Sequence, residues 1–86
     1  MSDEKVIIEL SKNAREVYRF RLATFKNYQF VDMRIFTRED GQDPAPTKKG
    51  LAVSPQLWPQ FRQALAQVEA AMIEQGWLDQ EDIEAV

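Results

Sequence analysis

The sequence predicts an α+β domain in which a β-meander is followed by one long helix. Two segments with period-two alternation, residues 16–24 and 28–38, flank a short break at Lys26-Asn27 and predict paired strands. Residues 48–53 resume an extended pattern after a segment rich in Pro and Gly. From Ser54 onward, apolar residues recur at spacings of three and four, as they do along one face of a helix.

The strands and their connections follow from local chemistry. Residues 6–10 (Val-Ile-Ile-Glu-Leu) are rich in β-branched side chains and predict a short edge strand. The Lys26-Asn27 pair predicts a tight reversal because asparagine tolerates positive φ, so the strands on either side run antiparallel. Residues 39–47 contain two prolines, which exclude a regular ladder, and we therefore expect a loop there.

The helix is predicted to begin at Ser54-Pro55 and to end at Gly76. Serine supplies an N-cap oxygen, proline suits the first helical position and glycine suits the C-terminal end. The helix would then run for about six turns at the usual 3.6 residues per turn. Its apolar stripe is long for one thin sheet, and a symmetric dimer is the simplest way to cover the remainder. The predicted dimer-interface residues are Trp58, Phe61, Leu65, Val68 and Met72.

Composition argues against catalysis. The 86 residues include no cysteine and no histidine, which removes thiolate metal sites and the commonest general base. A carboxylate nuclease would need clustered acids to hold Mg²⁺, whereas Asp32 stands alone on its strand. We therefore expect no enzymatic activity, no cofactor and no metal. No apolar run is long enough to cross a bilayer and no secretory signal is present, so we expect no membrane partner. The absence of cysteine agrees with a reducing intracellular setting.

The net charge of −3 is unevenly distributed along the chain. Residues 1–50 hold ten of the eleven Lys and Arg against eight acids, whereas residues 51–86 hold Arg62 against six acids. Screening confines each charge's field to about 8–10 Å at physiological salt, so a local basic face matters more for binding than the total. The charge balance permits a nucleic-acid partner without requiring one.

One face of the predicted hairpin mixes basic and aromatic side chains. Arg19 and Arg21 alternate with apolar residues on the first strand, as Arg34 and Phe36 do on the second. A solvated sheet face needs charge but not aromatic rings, whereas a surface that neutralises phosphates and stacks bases needs both. The pattern favours single-stranded nucleic acid, with a solvated face as the alternative. Asp32, which would repel phosphate, is expected to pair with Arg34 or a neighbouring lysine.

Four short motifs follow in order along the chain. They are Phe25-Lys26, Val31-Asp32-Met33-Arg34, Pro46-Thr47-Lys48-Lys49-Gly50-Leu51, and Ser54-Pro55 with Trp58. In this order and spacing they resemble the single-stranded-DNA-binding transcriptional coactivators of the positive cofactor four type, and the resemblance extends from Tyr18 to Val68. The chain departs from the eukaryotic coactivator at Tyr28, Thr37 and Ala45, where that protein has lysine, tryptophan and lysine.

The resemblance implies a curved four-stranded antiparallel sheet followed by a helix and paired as a symmetric dimer. It implies sequence-independent binding of single-stranded DNA, with RNA left open, in transcription, replication, recombination or repair. Transcription or replication proteins are the implied partners, and the implied location is cytoplasmic and nucleoid-associated, or nuclear in a eukaryote. The positions carried over from the family's DNA-binding ridge are Phe25, Lys26, Arg34, Lys48, Lys49 and Gly50.

The residue pattern adds Arg19, Arg21, Tyr28 and Phe36 to these predicted nucleic-acid contacts. Packing in the core or at a dimer interface is the alternative for the aromatic residues, above all for Phe36. We assign residues 1–15 to an N-terminal extension, residues 16–76 to the DNA-binding domain and residues 77–86 to an acidic tail.

A hypothesis from another class stays open: a protein-interaction module that recruits a partner through its helix or tail without binding DNA. Neutralising the basic residues would separate the two hypotheses, because DNA binding is lost only under the first. The tail is expected to be a solvated end, and masking of the basic face is the alternative.

Overall fold

A computed structural model describes residues 3–38 and 43–86 of the chain. One antiparallel sheet has the strand order β1-β2-β3-β4. The predicted α+β class, with a four-stranded meander followed by a helix, is confirmed. The sheet, up to Gln56, and the helical segment from Leu57 form two separate compact units. The elements are β1 (Asp3–Ser11), β2 (Glu16–Phe25), β3 (Tyr28–Thr37), β4 (Ala45–Val53), α1 (Trp58–Glu74) and α2 (Gln80–Glu84).

The β2–β3 hairpin is the most regular part of the sheet. Lys26 and Asn27 form its turn with φ values of 50° and 68°. Positive φ at both central residues is the type I′ geometry, whose twist matches that of the flanking strands. Phe25 pairs directly with Tyr28, and the pairing continues without a register shift to the far end of both strands. The predicted tight reversal and both predicted strands are confirmed, each to within one residue.

The two edge strands are longer than predicted. β1 pairs with β2 from Asp3 to Ser11, with an irregularity between Val6 and Ile8, so the predicted strand at residues 6–10 is only its centre. β4 begins at Ala45, so the predicted loop is wrong for residues 45–47, while residues 39–42 lie outside the described residues. A proline in β4 is compatible with a strand at the edge of a sheet, where a missing N–H removes no ladder bond on the outer side.

The helix begins at Trp58 rather than at Ser54. Leu57 is the N-cap residue and makes no side-chain cap hydrogen bond, so the predicted serine cap is wrong. The reason lies in Pro59. In a helix starting at Pro55, the Pro59 ring would clash with the carbonyl four residues earlier and one backbone hydrogen bond would be missing. Starting at Trp58 places Pro59 in the first turn, where a backbone N–H would have no partner within the helix. The N–H that proline lacks therefore costs no helical hydrogen bond there.

Gly76 ends α1, as predicted, just beyond the C-cap residue Gln75. Its φ of 78° is positive, its N–H donates to the Ile73 carbonyl at 3.0 Å, and the Trp77 N–H donates to the Met72 carbonyl at 2.9 Å. These two bonds form a Schellman motif. With 17 residues α1 has just under five turns, shorter than the predicted six. Part of the predicted solvated tail is helical, since α2 follows.

Little of the single chain is buried. The buried apolar residues in the described ranges are Val17, Ala23, Phe36 and Val53. Both helices are fully described, and neither contains a buried residue. Of the apolar stripe of α1, Leu65 and Val68 are exposed in one chain, whereas Trp58, Phe61 and Met72 are partly exposed. The dimer predicted to cover this stripe stays a prediction. No helix in the described part of the chain has the length and apolar character that crossing a membrane requires.

Gly50 fits against β3 only without a side chain. A Cβ at this position would lie 2.6 Å from the Met33 carbonyl oxygen and 2.7 Å from the Arg34 Cα. We expect Gly50→Ala to lower the free energy of unfolding by about 1–3 kcal/mol, the usual effect of overpacking. Urea denaturation followed by circular dichroism measures this loss.

Gly76→Ala is the matched control for this substitution. Its φ of 78° makes any side chain strained, but a Cβ there would meet nothing within 4 Å. We therefore expect Gly76→Ala to lower the free energy of unfolding only by the cost of the backbone strain, about 1 kcal/mol. A loss at Gly50 no larger than that at Gly76 would show that the strands relax around the new methyl group.

Candidate nucleic-acid interface

The register of β2 and β3 brings most of the predicted contact residues onto one face of the sheet. Arg19 pairs with Arg34, and Phe25 pairs with Tyr28. Residues directly opposite each other share a face, as do residues two positions apart along a strand. We call this surface the arginine face and define it by Arg19, Arg21, Phe25, Tyr28, Asp32, Arg34 and Phe36.

Asp32 lies at the centre of the arginine face and is 2% exposed. Arg21, its direct partner on β2, donates to Asp32 Oδ2 from Nε at 3.1 Å and also from Nη2. Arg34 donates to Asp32 Oδ1 from Nη2 at 3.0 Å and from Nε at 3.2 Å. The predicted pairing with Arg34 is confirmed. The second arginine follows from the register, because a residue directly opposite on the next strand lies within reach.

These hydrogen bonds decide the protonation of the buried pair. Burial alone would raise the pKa of Asp32, but the hydrogen bonds from Arg34 and Arg21 outweigh it and hold that pKa below its usual range. Burial alone would lower the pKa of Arg21, but the hydrogen bonds and charges of Asp32 and Glu4 together outweigh this effect, and the pKa is raised. The ion pair therefore remains charged on both sides at neutral pH.

Arg34 also connects the centre of the face to β4. Its Nη1 donates to the Thr47 carbonyl oxygen at 3.0 Å. The Thr47 hydroxyl donates to the Ile35 carbonyl at 2.7 Å and accepts the Lys49 N–H at 3.2 Å. The β3–β4 register shifts at this point, so these bonds replace part of the ladder. They fix the backbone that carries Lys48 and Lys49.

Two glutamates of β1 pair with Arg19, Arg21 and Arg38. Arg19 donates from Nε to Glu9 Oε2 at 2.6 Å, and its Nη2 contacts the same oxygen. Arg38 Nη2 lies 3.7 Å from the other oxygen of Glu9. Arg21 Nη1 lies 2.8 Å from Glu4 Oε2. These pairs could not be predicted from the sequence, because its pattern does not fix the register of β1.

Phe36 is covered by two of these arginines. It is 4% exposed, and the guanidinium carbons of Arg19 and Arg21 lie 4.4 Å and 5.1 Å from its ring centroid. Both distances are typical of cation–π contacts. A base could reach this ring only if the arginines moved, so the geometry favours the packing alternative for Phe36.

The end of the β2–β3 hairpin has a different character. Phe25 and Tyr28 are 50% and 76% exposed, and Lys26 Nζ lies 5.4 Å from the Phe25 ring centroid. Lys26, Lys48 and Lys49 form no ion pair with any described residue. The predicted basic contacts thus divide into arginines that are bound to acids and lysines that form no ion pair in the described part of the chain.

Comparison with known proteins agrees with this fold. The family model described as Transcriptional Coactivator p15 (PC4) matches residues 10–64. No curated protein matches the chain. Two crystal forms of a PC4 homologue from Burkholderia pseudomallei are similar, each with a TM-score of 0.71 and 25% identity over 78% of this chain. The match covers 90% of that protein's chain in the orthorhombic form and 98% in the tetragonal form.

A phage protein shares the fold over almost the whole chain. It is the bacteriophage T5 homologue of the eukaryotic transcription coactivator PC4, implicated in recombination-dependent DNA replication. The TM-score is 0.64 with 22% identity, and the match covers 98% of this chain and 99% of that one. The similarity therefore includes β1, most of which precedes the residues that the family model matches.

The buried ion pair makes stability depend on Asp32. We expect Asp32→Asn to lower the free energy of unfolding by about 3 kcal/mol at pH 7, because it removes the buried carboxylate charge that pairs with Arg21 and Arg34. Because the folded-state pKa of Asp32 is depressed, this stability is fully present above the unfolded pKa of about 3.9 and is lost as the pH falls through the folded pKa. Urea denaturation from pH 7 to pH 2 should show the two proteins converging only in acid.

The exposed Asp3, on the same sheet, provides the control. Asp3→Asn should change stability by less than about 0.5 kcal/mol, as surface substitutions usually do. A difference between wild type and Asp32→Asn that stayed constant down to the lowest pH would contradict the assignment of Asp32 as the titrating group.

Proposed function

Because the chain belongs to the PC4 family of transcriptional coactivators, we propose that it binds single-stranded DNA without sequence preference and does so as a homodimer. Membership of this family supports a DNA-related function. The phage T5 homologue is implicated in recombination-dependent DNA replication. Transcription, replication, recombination and repair are the processes in which we propose that the protein acts, in a nucleoid-associated location or, in a eukaryote, a nuclear one.

The end of the β2–β3 hairpin carries this proposal. Phe25 and Tyr28 pair across the strands with half or more of each residue exposed, and the charge of Lys26 lies beside them. An exposed ring offers a base a stacking surface, and a lysine neutralises a phosphate. Duplex DNA hides the faces of its bases, so this combination favours single strands.

The second group of proposed contacts consists of two lysines on β4. Lys48 and Lys49 belong to the segment of β4 next to Ile35. From Tyr28 to Ile35 the strand spans about 23 Å at the usual rise of 3.3 Å per residue. A DNA strand lying between the two groups would cross the arginine face. In this arrangement the lysines and exposed rings make the first contacts, and Arg19, Arg21 and Arg34 line the path.

Asp32 acts in this proposal as a positioning residue. A guanidinium has five N–H donors, and Asp32 uses only some of those of Arg21 and Arg34. The remaining donors can bind phosphate while the carboxylate keeps both side chains in one orientation. Gly50, whose missing side chain allows β3 and β4 to pack, holds the lysine-bearing segment beside this path.

The apolar stripe of α1 is the proposed dimer interface. The Trp58 and Phe61 rings stack with their centroids 5.9 Å apart. Leu65 and Val68 are 49% and 54% exposed, although both lie on the apolar side of the helix. Exposed apolar surface of this extent on a helix indicates a protein contact. A second copy supplies an equivalent stripe.

Family membership also supports a function without catalysis, cofactor or metal. Within residues 3–38 and 43–86, no three acidic side chains approach closely enough to hold a metal ion. The acids of the sheet instead pair with arginines, as described for Asp32, Glu4 and Glu9. Proteins of transcription or replication are the partners that we propose.

Fluorescence anisotropy tests the proposed DNA binding. Labelled oligo-dT, duplex DNA and RNA of equal length are titrated across a salt series. We expect the tightest binding to oligo-dT over duplex, weakening as salt rises because phosphate contacts release counterions. Equal or tighter binding to the perfect duplex would reject the preference for single strands, and no binding to any nucleic acid would favour the protein-interaction alternative.

Two tyrosine variants sharpen this experiment. Tyr28→Ala should weaken binding to oligo-dT by about 1–3 kcal/mol if a base stacks on the ring. Tyr18→Ala removes a tyrosine that is 39% exposed on the opposite face of the sheet and should leave binding unchanged. Equal losses in the two variants would exclude base stacking at Tyr28.

Sedimentation equilibrium tests the homodimer. A chain of 10.0 kDa should sediment at twice that mass at micromolar concentration. Leu65→Glu should shift the protein toward monomer, because it buries a charge in the proposed interface. Gln67→Glu places the same charge on the same helix outside the stripe and should leave the mass unchanged. A wild-type monomer would reject the dimer.

A further inference from the structure

The arginines of the arginine face are already bound to carboxylates in the free protein. Arg19 is held by Glu9, Arg21 by Asp32 and Glu4, and Arg34 by Asp32. A phosphate that approaches these guanidinium groups therefore meets donors of which several are already occupied. The three lysines proposed as first contacts have no such partner among the described residues.

The carboxylates are of two kinds. The Asp32 side chain is 3% exposed, lies in a central strand and contacts two arginines, so it cannot leave without breaking its ion pairs with both. The side chains of Glu4 and Glu9 are 49% and 33% exposed and lie on the edge strand β1. Either glutamate can rotate into water and become solvated, which makes its contact exchangeable.

We propose that Glu4 and Glu9 occupy the phosphate positions of Arg21 and Arg19 and that DNA displaces them when it binds. This inference rests on the proposed function and adds a competitor that is built into the same surface. β1 thereby lowers the affinity of the arginine face for any anion that cannot outcompete a tethered carboxylate.

This competition favours long strands over isolated phosphates. A tethered group acts at an effective concentration that reaches the millimolar range, so a free phosphate or mononucleotide at lower concentration does not displace it. A DNA strand already bound to the lysines presents its next phosphates at a comparable effective concentration. The arginines then engage only after the first contacts have formed.

Glu9 should be the stronger competitor. It lies between two basic groups, with Arg19 Nε at 2.6 Å and Arg38 Nη2 at 3.7 Å from its oxygens. Glu4 contacts Arg21 alone, and Arg21 keeps its bonds to Asp32 after Glu4 leaves. Displacing Glu9 thus makes two guanidinium groups available to phosphate, whereas displacing Glu4 makes only some of the N–H donors of Arg21 available.

The test measures oligo-dT affinity of the full chain after neutralising each glutamate. Glu9→Gln should tighten binding by about two- to fivefold at low salt, the range of an exposed ion pair, and converge with wild type as salt rises. Glu4→Gln should show a smaller gain. Asp3→Asn removes one charge from the opposite face of the same strand and should change affinity least.

A double-mutant cycle identifies the cause. If Glu9 competes for Arg19 and Arg38, most of the gain from Glu9→Gln should disappear in a background that carries both Arg19→Gln and Arg38→Gln. Circular dichroism confirms folding, and Glu4→Gln serves as the second variant if Glu9→Gln does not fold. The proposal would be overturned by a gain no larger than that of Asp3→Asn, by weaker binding, or by a gain that persists when Arg19 and Arg38 are both neutralised.

The binding curve of the wild type distinguishes a failure of the proposed competition from a failure of the proposed function. If wild type binds oligo-dT and the glutamate variants show no specific gain, the competition is excluded while the proposed function stands. If neither wild type nor any variant binds, the proposed function fails, and the competition fails with it.

Discussion

One chain of charged hydrogen bonds crosses all four strands, and the arrangement of the arginine face depends on it. It runs from Glu4 on β1 to Arg21 on β2, then to Asp32 and Arg34 on β3, and ends at the Thr47 carbonyl on β4. Its buried centre is stable only because two guanidinium groups satisfy one carboxylate. The same bonds that join the strands also orient the groups proposed to bind phosphate, so stability and binding share their residues.

The sequence was informative wherever a pattern is local. Alternation along β2 and β3, with the Lys26-Asn27 reversal between them, is sufficient to place Arg19, Arg21 and Arg34 on one face. The pairing of those arginines with β1 could not be predicted. Residues 6–8 are all apolar and do not alternate, and a bulge shifts the register there, so no sequence rule could assign Glu9 to Arg19.

The helix start and β4 show where two local signals compete. Ser54-Pro55 has the chemistry of a helix start, yet Pro59 excludes a helix from that point, so the later start prevails. Pro46 argues against a regular strand, yet the position of β4 at the edge of the sheet makes it acceptable. The sequence alone does not rank such signals, because the outcome depends on which strand forms the edge.

The open meander leaves two strand edges that differ in how readily they could pair with another chain. β4 carries a proline, two lysines and a bulge, all of which discourage further strand addition and so protect against aggregation. β1 exposes Val6, Ile7 and Ile8 to about half, and only its bulge interrupts this β-prone run. Intermolecular strand pairing in a destabilised variant would therefore begin at β1, the strand whose glutamates bind the arginine face.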